Sequence, residues 1–308
     1  MTTDTTRRTL LLGSLSLVAL ACLPSGALRA MDGPTLPPIG TPPTAGVRSE
    51  LSLSDGRRAP FWSWQPRGRV RGTILFSHGA ASAPWKYERL ISHWVAAGYA
   101  VHAPLHVDST DHPEHERFPA AASWPARIAD MRALADRFGR RGYVAAGHSY
   151  GGLMALALGG ATPVTPAEVA TPLYDRRVQV VIAFSPPAPI PGFVDRAAFA
   201  MLAVPALIQT GTADLPPGAT DWRGHLSAWE APAAGGHRYA LILDGVDHYF
   251  KGAICRPELP GPPLLTELDM AAAIAVEMMD GFARHQRSAR RALDARLSAT
   301  GPVQLMRR

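Results

Sequence analysis

The chain has 308 residues, of which 47% are hydrophobic and 18% are charged, so it is an ordinary globular chain able to bury one large core. Its net charge of +6 comes from 31 Lys and Arg against 25 Asp and Glu. This excess is mild and mostly scattered, and it gives no reason to expect a nucleic-acid partner. Cys22 and Cys255 are the only two cysteines, which excludes a disulfide-rich scaffold.

The amino terminus has the features of an export signal. The segment Thr6-Arg7-Arg8-Thr9-Leu10-Leu11 resembles the twin-arginine motif, and the apolar run that follows is too short to span a membrane comfortably. Small residues allow cleavage after Ala27, so we predict that residues 1–27 are removed and that the protein is periplasmic or extracellular. An uncleaved anchor and a lipid anchor at Cys22 are the alternatives. Cleavage would leave Cys255 alone, so a monomer could form no internal disulfide.

The first half of the chain alternates strands and helices after a linker. Residues 28–48 are rich in Pro, Gly and Thr and are predicted to be the linker. A hairpin is expected from 51–53 and 59–64, followed by strands at 73–77 and 99–103. A helix lies between those strands and ends at Gly98, and a second helix is expected to begin with Ser123 as its cap.

The second half repeats this alternation. Strands are expected at 178–184, 205–210 and 239–243, and Thr266 is expected to cap a final helix. The pattern predicts an α/β fold, with a mainly parallel sheet covered by helices on both faces and a single domain at 49–285. Two interruptions, at 104–122 and 162–177, are expected near the carboxyl ends of strands, and the arginine-rich residues 286–308 are expected to form a basic tail.

The motif Gly147-His148-Ser149-Tyr150-Gly151 has the form G-x-S-x-G. An apolar run precedes it and an unbroken helical segment follows it, so it falls at a turn between a strand and a helix. A serine at such a turn exposes its hydroxyl above the carboxyl end of the sheet. Ser149 is therefore the candidate nucleophile; the alternative is a glycine-rich turn with a capping serine.

A serine nucleophile needs a base, and the base needs an orienting acid. Asp214 follows the strand at 205–210, and His248 follows the strand at 239–243, so both are expected at the same end of the sheet as Ser149. Asp195 is the rival acid. His225 and His237 are the rival bases.

The reaction also needs donors for a developing oxyanion. The backbone N–H groups of Tyr150, which follows the nucleophile, and Ala80, in the loop after the strand at 73–77, are the candidates. His78 precedes that loop, and we expect it to pack or form hydrogen bonds beneath it.

These segments together resemble the α/β-hydrolase superfamily. The matching segments are His78-Gly79, Gly147-His148-Ser149-Tyr150-Gly151, Gly211-Thr212-Ala213-Asp214 and Gly245-Val246-Asp247-His248. More narrowly, the pattern resembles the group of dienelactone hydrolases, platelet-activating-factor acetylhydrolases, chlorophyllases and polyester hydrolases. The resemblance implies an esterase in which Ser149, His248 and Asp214 form the triad and Ala80 and Tyr150 supply the oxyanion donors. A serine in place of cysteine argues against dienelactone hydrolase chemistry, and the segment 162–177 is too short for a large lid.

The loop at 104–118 is dense in groups that can bind metals. His106, His112 and His115 lie among several acids, but without a recognised ligand spacing, so we expect a polar loop, no metal and no cofactor. The aromatic residues expected to contact the substrate are Trp85, Tyr87 and Trp124, with core packing as the alternative for each.

The sequence therefore predicts a metal-independent serine hydrolase that cleaves a small-molecule, lipid or polymer ester through an acyl-enzyme. An amide or peptide hydrolase and an acyltransferase on the same triad are the enzyme alternatives. A catalytically silent binding protein with the same fold is the alternative from another class.

Overall fold

The computed structural model describes residues 46–53, 55–215, 220–235 and 237–308. The predicted export signal and most of the predicted linker lie outside these residues and stay predictions. Residues 47 and 48, which we expected in the linker, instead begin the first strand. No helix within the described part of the chain combines the length and apolar character needed to cross a membrane.

A nine-stranded sheet forms the centre of the described residues, in the order β1-β2-β4-β3-β5-β6-β7-β8-β9. The strands are β1 (Val47–Ser52), β2 (Arg58–Trp64), β3 (Gly72–Ser77), β4 (Tyr99–Pro104), β5 (Tyr143–His148), β6 (Val178–Phe184), β7 (Ala206–Ala213), β8 (Arg238–Asp247) and β9 (Val303–Arg307). The neighbouring strands β4, β3, β5, β6, β7 and β8 pair in parallel. Strands β1 and β2 join antiparallel at one edge of the sheet, and β9 joins antiparallel at the other. The predicted α/β fold, and with it the opening hairpin, is confirmed.

Helices cover both faces of the sheet. They are α1 (Glu88–Ala96), α2 (Trp124–Phe138), α3 (Tyr150–Leu158), α4 (Arg196–Ala200), α5 (Ser227–Glu230), α6 (Leu265–Phe282) and α7 (Arg287–Ala295). Successive side chains of a strand point to opposite faces. In β3, Ile74 and Phe76 accordingly pack in the core formed with α1 and α6, while Leu75 packs in the core formed with α2 and α3. The central strands are apolar throughout because both of their faces are buried.

Ser123 occupies the cap position of α2, as predicted, but its side chain makes no capping hydrogen bond to the helix. The predicted cap at Thr266 is wrong, because Thr266 lies inside α6, whose preceding residue is Leu264. Tertiary packing of an apolar face can stabilise a helix without a polar cap.

The segment 162–177 ends at the other end of the sheet from the one we predicted. It joins the end of α3 to the start of β6, and Tyr143 at the start of β5 donates its N–H to the carbonyl of Arg177 at 3.0 Å. Only its first residues lie toward the predicted end: Val164 donates its N–H to the carbonyl of Phe193 at 2.7 Å, and the ring of Phe193 packs against Tyr150. The segment 104–122 does follow the carboxyl end of β4.

The carboxyl-terminal residues are part of the fold and not a tail, which corrects the prediction for 286–308. Strand β9 pairs antiparallel with β8, with Leu305 opposite Leu241. Helix α7 packs on α6, and its Leu293 is fully buried in the core. The docking of this segment was not predicted because its buried apolar residues are few among the arginines and their partners are far away in sequence.

We predict that Leu293→Ala lowers the free energy of unfolding by about 2–5 kcal/mol, because it leaves a cavity in the core. Urea unfolding of the full chain measures the change. Leu297→Ala is the matched control, since Leu297 is 38% exposed and should change the value by less than about 0.5 kcal/mol. Equal, small effects of the two substitutions would contradict the docking of α7.

Candidate active site

Ser149 lies at a sharp turn between β5 and α3. Its backbone is left-handed, with φ 54° and ψ −120°, which is uncommon for a residue other than glycine. The turn brings three backbone segments into contact: a Cβ on Gly147 would overlap the carbonyl of Gly151, and one on Gly151 would overlap the carbonyl of Ser77. The two glycines of the motif are therefore required by close approach, and the half-buried serine is presented above the sheet.

Asp214 and His248 meet at the carboxyl ends of β7 and β8. His248 Nδ1 lies 2.7 Å from Asp214 Oδ1, and Thr210 Oγ1 donates to Asp214 Oδ2 at 2.8 Å. Asp214 is fully buried, and burial alone would favour its neutral form. The hydrogen bonds and charges of His225 and His248 outweigh burial and hold the pKa of Asp214 well below its usual range. The two residues predicted as acid and base are thus in direct contact.

A second histidine shares the same carboxylate oxygen. His225 Nε2 lies 3.2 Å from Asp214 Oδ1, and His225 Nδ1 lies 2.6 Å from the carbonyl of Pro186. Both ring nitrogens therefore face acceptors, and only the protonated ring can donate to both. Burial opposes the charge, but Asp214 and the carbonyl of Pro186 outweigh it and raise the pKa of His225.

This arrangement was not predicted, although His225 was considered as a rival base. His225 lies in a 3₁₀ turn at Trp222–Leu226. No sequence pattern indicated that this turn packs against the loop after β7.

A chain of buried hydrogen bonds connects the serine turn to His248. His148 directly precedes Ser149 and donates from Nε2 to the carbonyl of His248 at 2.9 Å. Its other nitrogen, Nδ1, accepts from the Tyr87 hydroxyl at 2.9 Å, and that hydroxyl accepts from the N–H of Gly79 at 3.0 Å. Burial and the adjacent His248 lower the pKa of His148 to about 3, so the ring is neutral and can accept at Nδ1.

The backbone groups proposed as oxyanion donors lie at neighbouring strand ends. Ser77 on β3 is in register with Gly147 on β5, so the residues 78–80 and 148–150 extend from the sheet side by side. Tyr150 is the first residue of α3, where helix N–H groups point outward. Ala80 is exposed, and its N–H donates to no acceptor within the described residues.

The loop at 104–118 is folded onto the protein by its polar side chains. His106 bonds to Ser77 Oγ at 2.9 Å and to Asp130 Oδ2 at 2.9 Å, and Asp108 pairs with Arg127 at 2.8 Å. His78 lies beneath the loop, where its Nε2 accepts the N–H of His106 at 3.0 Å. The histidines and acids at the start of this loop are thus occupied with protein partners.

Among the described residues, one group of side chains has its donor atoms close enough together to hold a metal ion. It consists of Asp214, His225 and His248, whose atoms lie within 4.8 Å of one another. The carboxylate oxygen forms a hydrogen bond with His248 at 2.7 Å and lies 3.2 Å from Nε2 of His225. The carboxylate and the two rings are therefore already in contact with one another.

The rival residues lie elsewhere. Asp195 caps α4, since its carboxylate accepts the N–H of Ala198 at 2.7 Å. His237 precedes β8, so it lies at the amino end of that strand, where its ring packs 5.0 Å from the ring of Phe282. Neither residue faces the serine turn.

Two of the three aromatic residues expected to contact substrate are core residues. Tyr87 is fully buried, with its hydroxyl bonded as described above. Trp124 is 1% exposed and packs against Tyr150 and Phe193. Trp85 is half-buried and packs against Trp62, so it alone of the three has surface that a ligand can reach.

Solved structures share this fold. Esterase 2 from Thermogutta terrifontis, in a form phosphorylated by paraoxon, superposes with a TM-score of 0.56 at 14% identity over 77% of this chain and 94% of that one. The esterase domain of a Rhodothermus marinus protein gives 0.52 at 14% identity over 77% and 98%. A puromycin hydrolase gives 0.54 at 15% identity over 77% of this chain and 39% of that one.

No curated protein sequence matches the chain. A family model described as the alpha/beta hydrolase family matches residues 74–305, which include the serine turn, Asp214 and His248. On this match, and on the parallel sheet with its serine turn, the chain belongs to the alpha/beta hydrolase family.

Proposed function

We propose that the protein is a serine hydrolase that cleaves carboxylic esters through an acyl-enzyme intermediate. The observation that carries the proposal is the hydrogen bond of 2.7 Å between Asp214 and His248, at the same end of the sheet as Ser149 in its left-handed turn. These are the three parts that a serine nucleophile requires: an exposed hydroxyl, a base and an orienting acid.

The hydrogen bonds assign a role to each nitrogen of His248. Its Nδ1 lies 2.7 Å from Asp214, so in the neutral ring that donates from Nδ1 the lone pair that acts as the base is on Nε2. In the proposed reaction His248 Nε2 takes the hydroxyl proton of Ser149 as Oγ attacks the ester carbonyl. The same proton then passes to the leaving alcohol as the carbon–oxygen bond breaks.

The oxyanion that forms during this attack requires donors that are already in place. The N–H groups of Ala80 and Tyr150 extend from adjacent strand ends and are proposed to bind it. In known enzymes one such donor contributes about 3–4 kcal/mol to transition-state stabilisation. Water activated by His248 then attacks the acyl-enzyme through a second oxyanion at the same position, which frees Ser149.

His225 is a second partner of the acid. Its Nε2 lies 3.2 Å from the Asp214 oxygen that His248 also contacts, and the two ring centroids lie 5.7 Å apart. Together with the hydrogen bond from Thr210, this contact is proposed to hold the carboxylate in the direction that orients His248.

We predict that Ser149→Ala lowers kcat on p-nitrophenyl esters by about 10⁴-fold or more, because the nucleophile is lost. A series from acetate to palmitate, assayed with wild type and variant side by side, measures this effect and the acyl length the site accepts. His248→Ala should lose activity to a similar degree, whereas His237→Ala should retain it. Serine-independent turnover, or folded wild type without turnover on any ester, would contradict the esterase.

We predict that His225→Ala lowers kcat/KM on p-nitrophenyl esters by about tenfold, because Asp214 loses one of the contacts that hold its carboxylate against His248. His225→Gln keeps an amide that can donate to Asp214, so it should lose less activity. Assay of the two variants beside wild type measures the difference.

The matched control is His93→Ala. His93 also contacts an aspartate, Asp269, at 2.7 Å, but on the helices α1 and α6. The control should turn over at the wild-type rate. Wild-type kcat/KM in His225→Ala would show that His225 has no part in holding Asp214 against His248.

A further inference from the structure

The peptide bond between Gly79 and Ala80 is held from one side. A trans peptide is planar, so its C=O and N–H point in opposite directions. The Gly79 carbonyl belongs to the same peptide as the Ala80 N–H, the donor proposed for the oxyanion. Whatever fixes the direction of that carbonyl also fixes the direction of the donor.

Two buried donors converge on the Gly79 carbonyl. Arg127 Nη2 donates to it at 3.2 Å, and His78 Nδ1 donates to it at 2.7 Å. Arg127 Nη1 also donates to the carbonyl of His78 at 2.8 Å, so two consecutive peptides are bound by one guanidinium. Inverting the Gly79–Ala80 peptide would break both bonds to its carbonyl and leave these buried donors unpaired, which is unfavourable.

Each of these donors is itself held in place. Arg127 is completely buried, and Asp108 accepts from its Nε and Nη2 at 2.8 Å each in a two-bond pair. His78 Nε2 accepts the N–H of His106, which leaves the proton on Nδ1, as donation to the carbonyl requires. Burial, reinforced by His106 and Arg127, holds the pKa of His78 well below its usual value, so the ring is neutral.

The neighbouring backbone N–H groups are used for other bonds. The Gly79 N–H donates to the Tyr87 hydroxyl at 3.0 Å, and the Ala81 N–H donates to Asp108 Oδ2 at 3.3 Å. Of these three successive amides, the Ala80 N–H has no acceptor among the described residues, and Ala80 itself is exposed. The same guanidinium also lies 4.6 Å from the ring centroid of Tyr150, whose N–H is the second proposed donor.

We propose that Arg127, oriented by Asp108 and assisted by His78, is a positioning residue that locks the Gly79–Ala80 peptide with its N–H facing the oxyanion. The inference rests on the proposed function and deepens it. It gives Asp108, in the polar loop at 104–118, a role in catalysis without contact to the substrate: it orients the arginine that sets the oxyanion donor.

The test compares Arg127→Lys with wild type in the full-length protein. Lysine keeps the charge and can pair with Asp108, but one ammonium cannot reproduce the planar fork that binds Asp108 and two carbonyls together. We expect the rate at which a fluorophosphonate labels Ser149, and kcat on the best p-nitrophenyl ester, to fall by about 10- to 1000-fold. KM should change by less than about threefold, because the loss is confined to the transition state.

Asp108→Asn is the second variant. It keeps the shape of the side chain but removes the charge that orients Arg127, so it tests the same locking role if Arg127→Lys does not fold. It should slow both reactions in the same direction. Glu277→Gln is the matched control, since Glu277 is equally buried and accepts a two-bond pair from Arg296 far from the site. The control should label and turn over at the wild-type rate.

The outcomes separate the two proposals. Labelling at the wild-type rate in Arg127→Lys and Asp108→Asn would overturn the locking role and leave the serine hydrolase intact. An equal loss in Glu277→Gln would also overturn it, by showing that the loss of any buried ion pair has this effect. Wild type that is not labelled at Ser149 would contradict the proposed function and, with it, the oxyanion that the lock serves.

Discussion

The backbone of Ser149 is the constraint on which the rest of the site depends. A residue other than glycine in a sparsely populated conformation is destabilised by about 1–3 kcal/mol, so its surroundings must hold it there. The Ser149 N–H donates to the carbonyl of Phe184 on β6 at 2.8 Å, and α3 begins at the next residue. Gly147 and Gly151 allow this turn to lie against the end of β3. Ser149, the loop after β3 and the start of α3 are thereby brought to one place.

Buried polar contacts then connect the parts that the sheet brings together. His148 bonds to the backbone of His248 and, through Tyr87, to Gly79, so the serine turn, His248 and the loop after β3 share one chain of hydrogen bonds. Asp108 and Arg127 hold that loop from its other side. Buried charges are tolerated only when they are paired, and loss of one partner typically costs about 3–5 kcal/mol. These contacts are formed without a ligand, as the proposed electrostatic stabilisation of an oxyanion requires.

The sequence was sufficient for the parts of the fold and site that local pattern determines. The turn at Ser149 follows from glycines flanking a serine between an apolar strand and an apolar helix. Asp214 and His248 were found because residues that follow parallel strands gather at one edge of a sheet. The contacts that the sequence did not predict join residues that are distant along the chain. Leu293 and Leu305 are anchors within an arginine-rich segment, and nothing near them in sequence indicates α6 or β8 as their partners. His225 reaches Asp214, and Arg127 reaches the Gly79 carbonyl, only through the docking of separate elements.

The most direct test of the central claim is to isolate the covalent intermediate. Wild type mixed rapidly with a p-nitrophenyl ester and quenched in acid would be examined by intact mass and peptide mapping. The account predicts one acyl group per chain, attached to the peptide that contains Ser149, formed in a burst as the first equivalent of nitrophenol is released. Turnover with no bound acyl group, or an acyl group on another residue such as Cys255, would contradict it.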